Sequence, residues 1–261
     1  MSPVITLTTD FGYKDPFVGE MKGIILSINP RVLPVDITHA ITPQDIREGA
    51  LLIGESCRYF PKGSIHVVVV DPGVGSGRRA IIVEAGGHLF VGPDNGVFST
   101  VLSSPESVRV IHILEEKYVL SLQSPTFQGR DVFAPAAAWL SRGVALEEFG
   151  PRIDDPVRIV FPLPRQEGEG ITGEVIYIDR FGNAITNIRR SDLETLGVWH
   201  AELKGIPIPP VGHYAQAEEN SLSCLINSSG HLELFVNRGD ASGRYGIRKG
   251  DPVMLRRCNQ K

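Results

Sequence analysis

The chain has 261 residues, 42% of them hydrophobic and 21% charged, a composition typical of a soluble globular protein with one large domain or two smaller ones. Its net charge of −4 gives no electrostatic reason to expect binding to nucleic acid or an anionic membrane, and no apolar run is long enough to predict a transmembrane helix. The three cysteines form no CxxC pair, and the sequence enters a strand pattern directly after Met1-Ser2-Pro3, without a signal peptide. We therefore expect a cytoplasmic protein with reduced cysteines.

Strand and helix patterns alternate over the first 70 residues. Strands are predicted at 4–8 and 32–37, and helices at 15–28 and 42–59. Asp15 is expected to cap the first helix, with Pro16 as its first helical residue. The four valines at 67–70 then predict a strand buried on both faces. This β-α-β-α-β order predicts a largely parallel sheet with right-handed crossovers.

Carboxylates directly follow two of these strands. Asp10 follows the first strand and Asp71 follows the valine strand, and open α/β sheets bind ligands just outside the carboxyl ends of their strands. Asp71 opens the sequence Asp-Pro-Gly-Val-Gly, whose glycines would let a ligand approach the backbone. Asp-Pro-Gly is also a common turn sequence after a strand, so the Asp71 side chain could instead only cap that turn. His39, after the second strand, is a second-tier candidate as a ligand or a base, because a lone histidine is more often structural.

Beyond the valine strand the pattern of the chain changes in two steps. A hairpin is predicted at 80–91 and a polar loop at 124–131, where Phe127 could stack on a flat ligand or staple the following helix at 132–140. Prolines and glycines place a linker at 163–170, between an α/β domain at 1–162 and a second domain at 171–261. The second domain shows short strands and no long helix, which predicts an all-β structure. Its strands are expected at 172–179, 184–188, 199–203, 222–227, 231–236 and 251–257.

Four segments taken together resemble one family: residues 7–12 (LTTDFG), 70–75 (VDPGVG), 126–131 (TFQGRD) and 178–183 (IDRFGN). It is the S-adenosyl-L-methionine (SAM) hydrolases, also called SAM hydroxide adenosyltransferases, which are relatives of the SAM-dependent fluorinase and chlorinase. The resemblance extends over nearly the whole chain. It implies an N-terminal α/β domain and a smaller, barrel-like C-terminal β domain. The implied reaction is attack of a water-derived hydroxide on ribose C5′, giving adenosine and L-methionine without a metal or redox cofactor. It also implies a homotrimer, with SAM bound at the subunit interface.

The same resemblance implies an Asp-Arg-His catalytic set. Its positions fall on Asp71, Arg78 and Gln128, with Arg79 as an immediate neighbour that could be confused with Arg78. Gln128 departs from the family, because glutamine can orient a water but cannot take a proton near neutral pH. Asp71 with Arg78 could suffice to activate the water, or His39 or another group could take the role of the missing histidine. The third possibility is that this protein turns over its substrate more slowly than the family.

Substrate contacts are also implied by the resemblance. They are Asp10 for the ribose hydroxyls, Asp15, Asp179 and Ser228 for the methionine end, and Phe127, Phe181, Tyr214 and Asn183 for the adenine. A carboxylate can accept hydrogen bonds from both ribose hydroxyls, which suits Asp10. For Phe181 and Asn183 the alternative is a β-turn with a buried aromatic anchor.

Two other functions stay open on the sequence. A halide could replace the hydroxide in the same displacement, although an anionic Asp71 would repel it. The chain could also bind SAM or adenosine without turnover, since Gln128 weakens the catalytic set. A P-loop protein or a zinc hydrolase is not favoured, because the sequence has no GxxxxGK[ST] motif and no HExxH spacing.

Overall fold

A computed structural model describes residues 2–103, 107–121, 125–194 and 196–257 of the chain. The chain divides into two compact units, Met1–Val160 and Phe161–Lys261. Within the described residues no helix is long and apolar enough to cross a membrane. Cys57 and Cys224 are free thiols, and Cys258 lies outside the described residues.

The first unit is an α/β structure built on a six-stranded sheet. In chain order its elements are β1 Val4–Thr9, α1 Phe17–Ile28, β2 Leu33–Thr38, α2 Ile46–Ser56, β3 Ile65–Val69, β4 Ala80–Ala85, β5 His88–Pro93, β6 Arg109–His112 and α3 Ala134–Ser141. The strand order is β2-β1-β3-β5-β4-β6. The first four strands in this order are parallel, and β4 runs antiparallel to both of its neighbours. The largely parallel sheet predicted from the sequence is confirmed, and so is the hairpin at 80–91.

The valine strand lies between two cores because successive side chains point to opposite faces of the sheet. Val67 and Val69 join Met21 and other residues of α1 and α3 in one core. Val68 joins Ile53 of α2 in the core on the opposite face. Each fully buried valine contributes about 1.5–3 kcal/mol of hydrophobic stabilisation. This burial fixes the strand that leads into Asp71.

Two predicted helix starts are wrong. Asp15 is exposed and does not cap α1; Pro16 occupies the N-cap position without a side-chain cap, and its carbonyl accepts the first helical hydrogen bond, from the Glu20 backbone at 2.9 Å. The second helix begins at Ile46 rather than Thr42, because Asp45 is the N-cap and its side chain accepts from the Glu48 backbone N–H at 2.9 Å. Both loops ahead of these helices are therefore longer than the sequence pattern predicts.

The second unit is an antiparallel β structure. In chain order its elements are β7 Arg165–Glu167, β8 Gly170–Ile178, β9 Ala184–Arg189, α4 Arg190–Leu193, β10 Trp199–Leu203, β11 Ile206–Ile208, β12 Leu222–Ile226, β13 His231–Val236, α5 Ala241–Tyr245 and β14 Pro252–Arg257. Residues of the predicted linker form β7, which pairs with β8. The strand order is β11-β10-β14-β8-β9-β13-β12.

This second sheet is nearly closed. The segment after β11 bridges Pro210 to Cys224 of β12, the strand at the opposite edge. The backbone N–H of Val211 donates to the Cys224 carbonyl at 2.9 Å, and that of Cys224 donates to the Pro209 carbonyl at 3.1 Å. These two bonds join the edges at one point, and the sheet encloses an apolar core. The predicted all-β, barrel-like fold is confirmed.

Candidate active site

The carboxyl ends of three neighbouring parallel strands meet at one edge of the first sheet. Asp10 follows β1, His39 follows β2 and Asp71 follows β3 by two residues. Pairing of Thr9 with Val69 aligns the ends of β1 and β3. The topology thus brings together residues that are up to 61 positions apart in the sequence, at the edge where open α/β sheets bind ligands.

Asp71 is held by Arg78. The Arg78 Nε lies 3.0 Å from both carboxylate oxygens of Asp71, and Nη2 donates a further short hydrogen bond to Oδ2. Both side chains are buried, with 5% of Asp71 and 9% of Arg78 exposed. The Arg78 guanidinium also lies over the Phe133 ring, 5.3 Å from its centroid. This gives the carboxylate a fixed orientation and a charge partner with little access to bulk water.

The turn after β3 is made by the backbone and not by the Asp71 side chain. The Val74 N–H donates to the Asp71 carbonyl at 3.2 Å, and the Ser76 N–H donates to the Gly73 carbonyl at 3.0 Å. The carboxylate is engaged by Arg78 instead. Turn capping is therefore not the role of this side chain.

Arg79 has a different set of partners from Arg78. Its Nε donates to Asp94 Oδ2 at 2.7 Å, and its Nη1 and Nη2 donate to the side chain and carbonyl of Asp155, each at 2.7 Å. Asp94 follows β5 and also accepts from the Val157 backbone at 2.8 Å. Arg79 therefore links the 154–157 segment to the sheet edge, which distinguishes it from Arg78.

Gln128 begins a wide, π-helical turn, Gly129–Phe133, that runs directly into α3. Its side chain is partly buried. The turn starts three residues before the predicted helix at 132–140. Residue 124 of the predicted polar loop lies outside the described residues.

Phe127 packs in an aromatic cluster. Its ring meets Phe11 and Phe17 edge-to-face, with centroid distances of 5.8 and 5.2 Å, and Arg130 lies over it at 5.0 Å. The cluster connects the loop after β1 and the start of α1 to the turn that carries Gln128. Phe127 is therefore a packing residue here, and one part of its surface stays accessible.

Asp10 is fixed by the loop ahead of α2. Its Oδ2 accepts a 2.8 Å hydrogen bond from the backbone N–H of Gln44. Gln44 has φ 69°, a left-handed conformation that non-glycine residues rarely adopt. This conformation points the Gln44 N–H at Oδ2 of Asp10. The lone pairs of the other carboxylate oxygen, Oδ1, are then left for a ligand.

His39 is buried and engaged at both ring nitrogens. Nδ1 lies 2.8 Å from Thr9 Oγ1, and Nε2 lies 3.1 Å from Asp36 Oδ1. Burial would raise the pKa of Asp36, but hydrogen bonds from Lys22 and His39 outweigh it and lower that pKa. The His39 carbonyl accepts from Gly12 at 2.7 Å. This histidine anchors the loop after β1, so it is poorly suited to replace the histidine that the family resemblance places at Gln128.

In the second unit, Asp179 organises the turn between β8 and β9. Its Oδ1 accepts from the backbone N–H groups of Phe181 and Asn183 at 2.8 and 2.9 Å, and its Oδ2 accepts from the Asn183 amide at 2.9 Å. Gly182 has φ 83°, and a Cβ there would collide with Asp240. Phe181 is 76% exposed, so the alternative of a turn with a buried aromatic anchor is wrong. The turn presents the Phe181 ring to solution.

Tyr214 and Ser228 lie near a buried carboxylate that the sequence analysis missed. The Tyr214 hydroxyl donates to Glu233 Oε1 at 2.7 Å, and its ring meets Phe235 edge-to-face at 4.7 Å. Ser228 is exposed in the turn between β12 and β13. Burial raises the pKa of Glu233, and burial together with Glu233 raises the pKa of Tyr214. The available sequence signal was an acidic residue within the otherwise apolar run 232–236.

Within the described part of the chain, no group of three or more His, Cys, Asp or Glu side chains is placed to hold a metal ion.

The fold and these motifs define a class of protein. The model of the SAM hydroxide adenosyltransferase N-terminal domain matches residues 5–150, and that of the C-terminal domain matches residues 173–254. Together they cover most of the sequence. The chain belongs to the SAM hydroxide adenosyltransferase family, and the resemblance predicted from its motifs is confirmed.

Individual relatives extend this assignment. The (R)-S-adenosyl-L-methionine hydrolase of Thermus thermophilus is 38% identical, over 98% of this chain and 100% of the relative. A fluorinase of an Actinoplanes species is 29% identical over 97% of each chain. The crystal structure of an uncharacterized conserved protein from Thermotoga maritima has a TM-score of 0.90 and 32% identity, covering 96% of this chain and 99% of that one.

Proposed function

We propose that this protein hydrolyses SAM to adenosine and L-methionine. Membership of the family across both units supports this function, as do full-length relatives named as SAM hydrolases. The observation that carries the proposal is the buried Asp71 carboxylate, fixed by Arg78 at the carboxyl edge of the parallel sheet. This is a preorganised group of the kind needed to orient a nucleophilic water.

The reaction needs little from the protein beyond positioning. A C5′–O bond forms as the C5′–S bond breaks, and the bonding electron pair stays on sulfur. The sulfonium cation leaves as the neutral thioether of methionine, which requires no acid. The attacking water loses one proton, so water plus the SAM cation gives adenosine, methionine and a proton. The protein must hold the water in line with the C–S bond and favour its hydroxide form.

Asp71, Arg78 and Gln128 are the proposed catalytic residues. Arg78 donates to both oxygens of Asp71, and Oδ2 accepts from both Nε and Nη2, so Oδ1 is the oxygen that keeps a lone pair for a proton from water. Gln128 contributes an amide that can orient the water without taking its proton. In this arrangement Asp71 is the group that polarises the nucleophile, and Arg78 keeps it in place.

The proposed substrate contacts fall into two groups. Those of the first unit are Asp10, Asp15 and Phe127, and those of the second unit are Asp179, Phe181, Asn183, Tyr214 and Ser228. Oδ2 of Asp10 accepts from Gln44, and its other oxygen, Oδ1, can accept from the ribose hydroxyls. Phe181 and Tyr214 have exposed rings that can stack on a purine. SAM is the proposed substrate, and the proposed reaction uses no further cofactor.

We also propose that the protein acts in the cytoplasm as a homotrimer, with the substrate site at the subunit interface. This assembly follows from the family resemblance, and the location follows from the cysteine usage. Analytical ultracentrifugation measures the assembly directly. A mass three times that of the chain is expected, and a monomer at working concentration would contradict it.

Product analysis tests the function. Purified protein is incubated with SAM, and adenosine and methionine are quantified by mass spectrometry in the absence and presence of chloride or fluoride. Wild-type protein and Asp154→Asn, an exposed control, are expected to form both products at equal rates, while Asp71→Asn loses activity. SAM that is bound but unchanged would identify a non-catalytic binder. A 5′-halogenated nucleoside would identify the halide reaction.

A further inference from the structure

Glu233 occupies an unusual position for a carboxylate. It lies in the middle of β13, which is paired on both sides, opposite Leu225 of β12 and Ile185 of β9. Only 4% of the residue is exposed. Its two oxygens have separate donors: Oε1 accepts from the Tyr214 hydroxyl at 2.7 Å and Oε2 accepts from the Asn227 amide at 3.1 Å.

These donors come from the two segments that carry proposed substrate contacts. Tyr214 begins a short helical turn in the loop between β11 and β12. Its hydroxyl is tied to Glu233 while 47% of the residue remains exposed. The carboxylate therefore fixes one end of the phenol ring and leaves the ring itself accessible.

Asn227 extends the connection to the turn that holds Ser228. Its Oδ1 accepts from the backbone N–H groups of Ser229 and His231 at 3.0 and 3.1 Å. Its backbone carbonyl accepts from Gly230 at 3.0 Å. Asn227 thus shapes the whole β12–β13 turn around Ser228, and Glu233 orients the amide that does so.

Burying this carboxylate is costly, and the contacts that hold it are neutral. A phenol and an amide compensate for lost hydration less well than a cation does, and burial raises the pKa of Glu233. The negative charge of Asp179 raises that pKa further. An apolar residue would fill this strand position at lower cost, so stability alone does not account for a carboxylate here.

We propose that Glu233 is a positioning residue of the substrate site, which sets the Tyr214 ring and, through Asn227, the Ser228 turn. Glu233 acts through these residues and makes no contact with substrate of its own. The inference rests on the proposed function, because Tyr214 and Ser228 are contacts only if the second unit binds SAM. Its effect belongs to binding and not to the chemical step.

The test compares Glu233→Gln, Tyr214→Phe and the double variant with wild type. Glutamine has nearly the same volume, but its amide nitrogen cannot accept, so it can satisfy only one of the two donors. Tyr214→Phe removes the hydroxyl and keeps the ring. Glu202→Gln is the matched control, because this β10 carboxylate accepts from Arg256 at 2.7 Å and is not among the proposed contacts. Steady-state KM and kcat for SAM, adenosine affinity by calorimetry and the melting temperature are measured for each.

We expect Glu233→Gln and Tyr214→Phe each to raise KM and the adenosine dissociation constant about tenfold, the effect of one lost hydrogen bond to a charged group. The expected kcat stays within about twofold of wild type, and the double variant is less impaired than the product of the single effects. Glu202→Gln should match wild type.

Unchanged KM and adenosine affinity in Glu233→Gln would overturn the inference, and so would multiplicative effects in the double variant. A loss of kcat at unchanged KM in folded Glu233→Gln would also overturn it. If Glu233→Gln does not fold, Tyr214→Phe and its adenosine affinity decide the question. If the wild-type protein binds adenosine but does not turn over SAM, only the proposed hydrolysis is wrong. The role of Glu233 is then still tested by the adenosine titrations. A wild type that binds neither compound overturns both proposals.

Discussion

Acid should destabilise the first unit through His66, a histidine that the proposed mechanism does not use. His66 lies in β3 and is fully buried, with Nδ1 2.7 Å from Thr6 Oγ1 and Nε2 3.2 Å from Nδ1 of His88. Its ring is stacked on Phe90 with the centroids 5.0 Å apart. Burial, with a smaller contribution from His88, lowers the pKa of His66 from 6.5 to about 3. The folded protein therefore keeps this ring neutral at mildly acidic pH.

The size of the effect follows from the two pKa values. The unfolded chain takes up a proton at this histidine below about pH 6.5, whereas the folded chain does so only near pH 3. Between these values the unfolding free energy falls by about 1.4 kcal/mol per pH unit. From pH 8 to pH 5 protonation of His66 in the unfolded chain therefore lowers the unfolding free energy by about 2 kcal/mol. This stability is fully present above pH 6.5, the pKa of the histidine in the unfolded chain.

The assay is urea unfolding of wild type and His66→Asn at pH 8 and pH 5. One tryptophan lies in each unit, so Trp139 fluorescence in a Trp199→Phe background reports on the first unit alone. Asparagine keeps a polar atom near Thr6 but cannot be protonated. His213→Gln is the control, because His213 is exposed.

We expect His66→Asn to be less stable than wild type at pH 8 but to lose about 2 kcal/mol less on going to pH 5. His213→Gln should keep the wild-type pH dependence. Equal pH dependence in wild type and His66→Asn would contradict this prediction, because it would mean that His66 is protonated in the folded state or that its pKa is unshifted.

Three further predictions concern the proposed catalytic residues Asp71 and Gln128 and, in the second unit, the β8–β9 turn. Asp71→Asn should lower kcat by about 10²- to 10⁴-fold, the range for a positioned acid–base group, and leave KM for SAM nearly unchanged; a mainly raised KM would make Asp71 a binding group instead. Gln128→His should raise kcat and add a limb to the pH–rate profile, in which the rate rises with pH through about 6.5; an unchanged profile would contradict a proton-accepting position there. Gly182→Ala should destabilise the second unit by about 1–3 kcal/mol, because its φ is 83° and its Cβ would meet Asp240. Gly205→Ala has φ 77° but open space, so it should cost less, and equal melting temperatures for the two variants would argue against the collision.

Much of the fold was predictable because the spacing of apolar residues in the sequence agrees with which residues the structure buries. The apolar run around Val68 predicts a buried strand, and alternation of strands and helices predicts parallel pairing. The helix starts were harder to predict. Asp15-Pro16 fits the capping rule, yet Asp15 does not cap α1, whereas Asp45 does cap α2. Local capping signals do not decide which turn the tertiary structure will use.

The candidate site was predictable only in part. Asp71 and Arg78, which the family resemblance assigned to the catalytic set, are seven residues apart, so one turn brings them together. Glu233 and Tyr214 are 19 residues apart on different segments. Their hydrogen bond depends on the register of the second sheet, which the sequence pattern does not specify. That is why the sequence analysis named Tyr214 and missed its partner.

In the proposed reaction, water attacks C5′ of SAM at Asp71. The most direct measurement is the destination of oxygen when the protein turns over SAM in ¹⁸O-labelled water. Adenosine that carries ¹⁸O at C5′, formed with unlabelled methionine and without dependence on halide, is the predicted result. Adenosine without the label, or SAM that stays intact on the protein, would contradict the proposed hydrolysis.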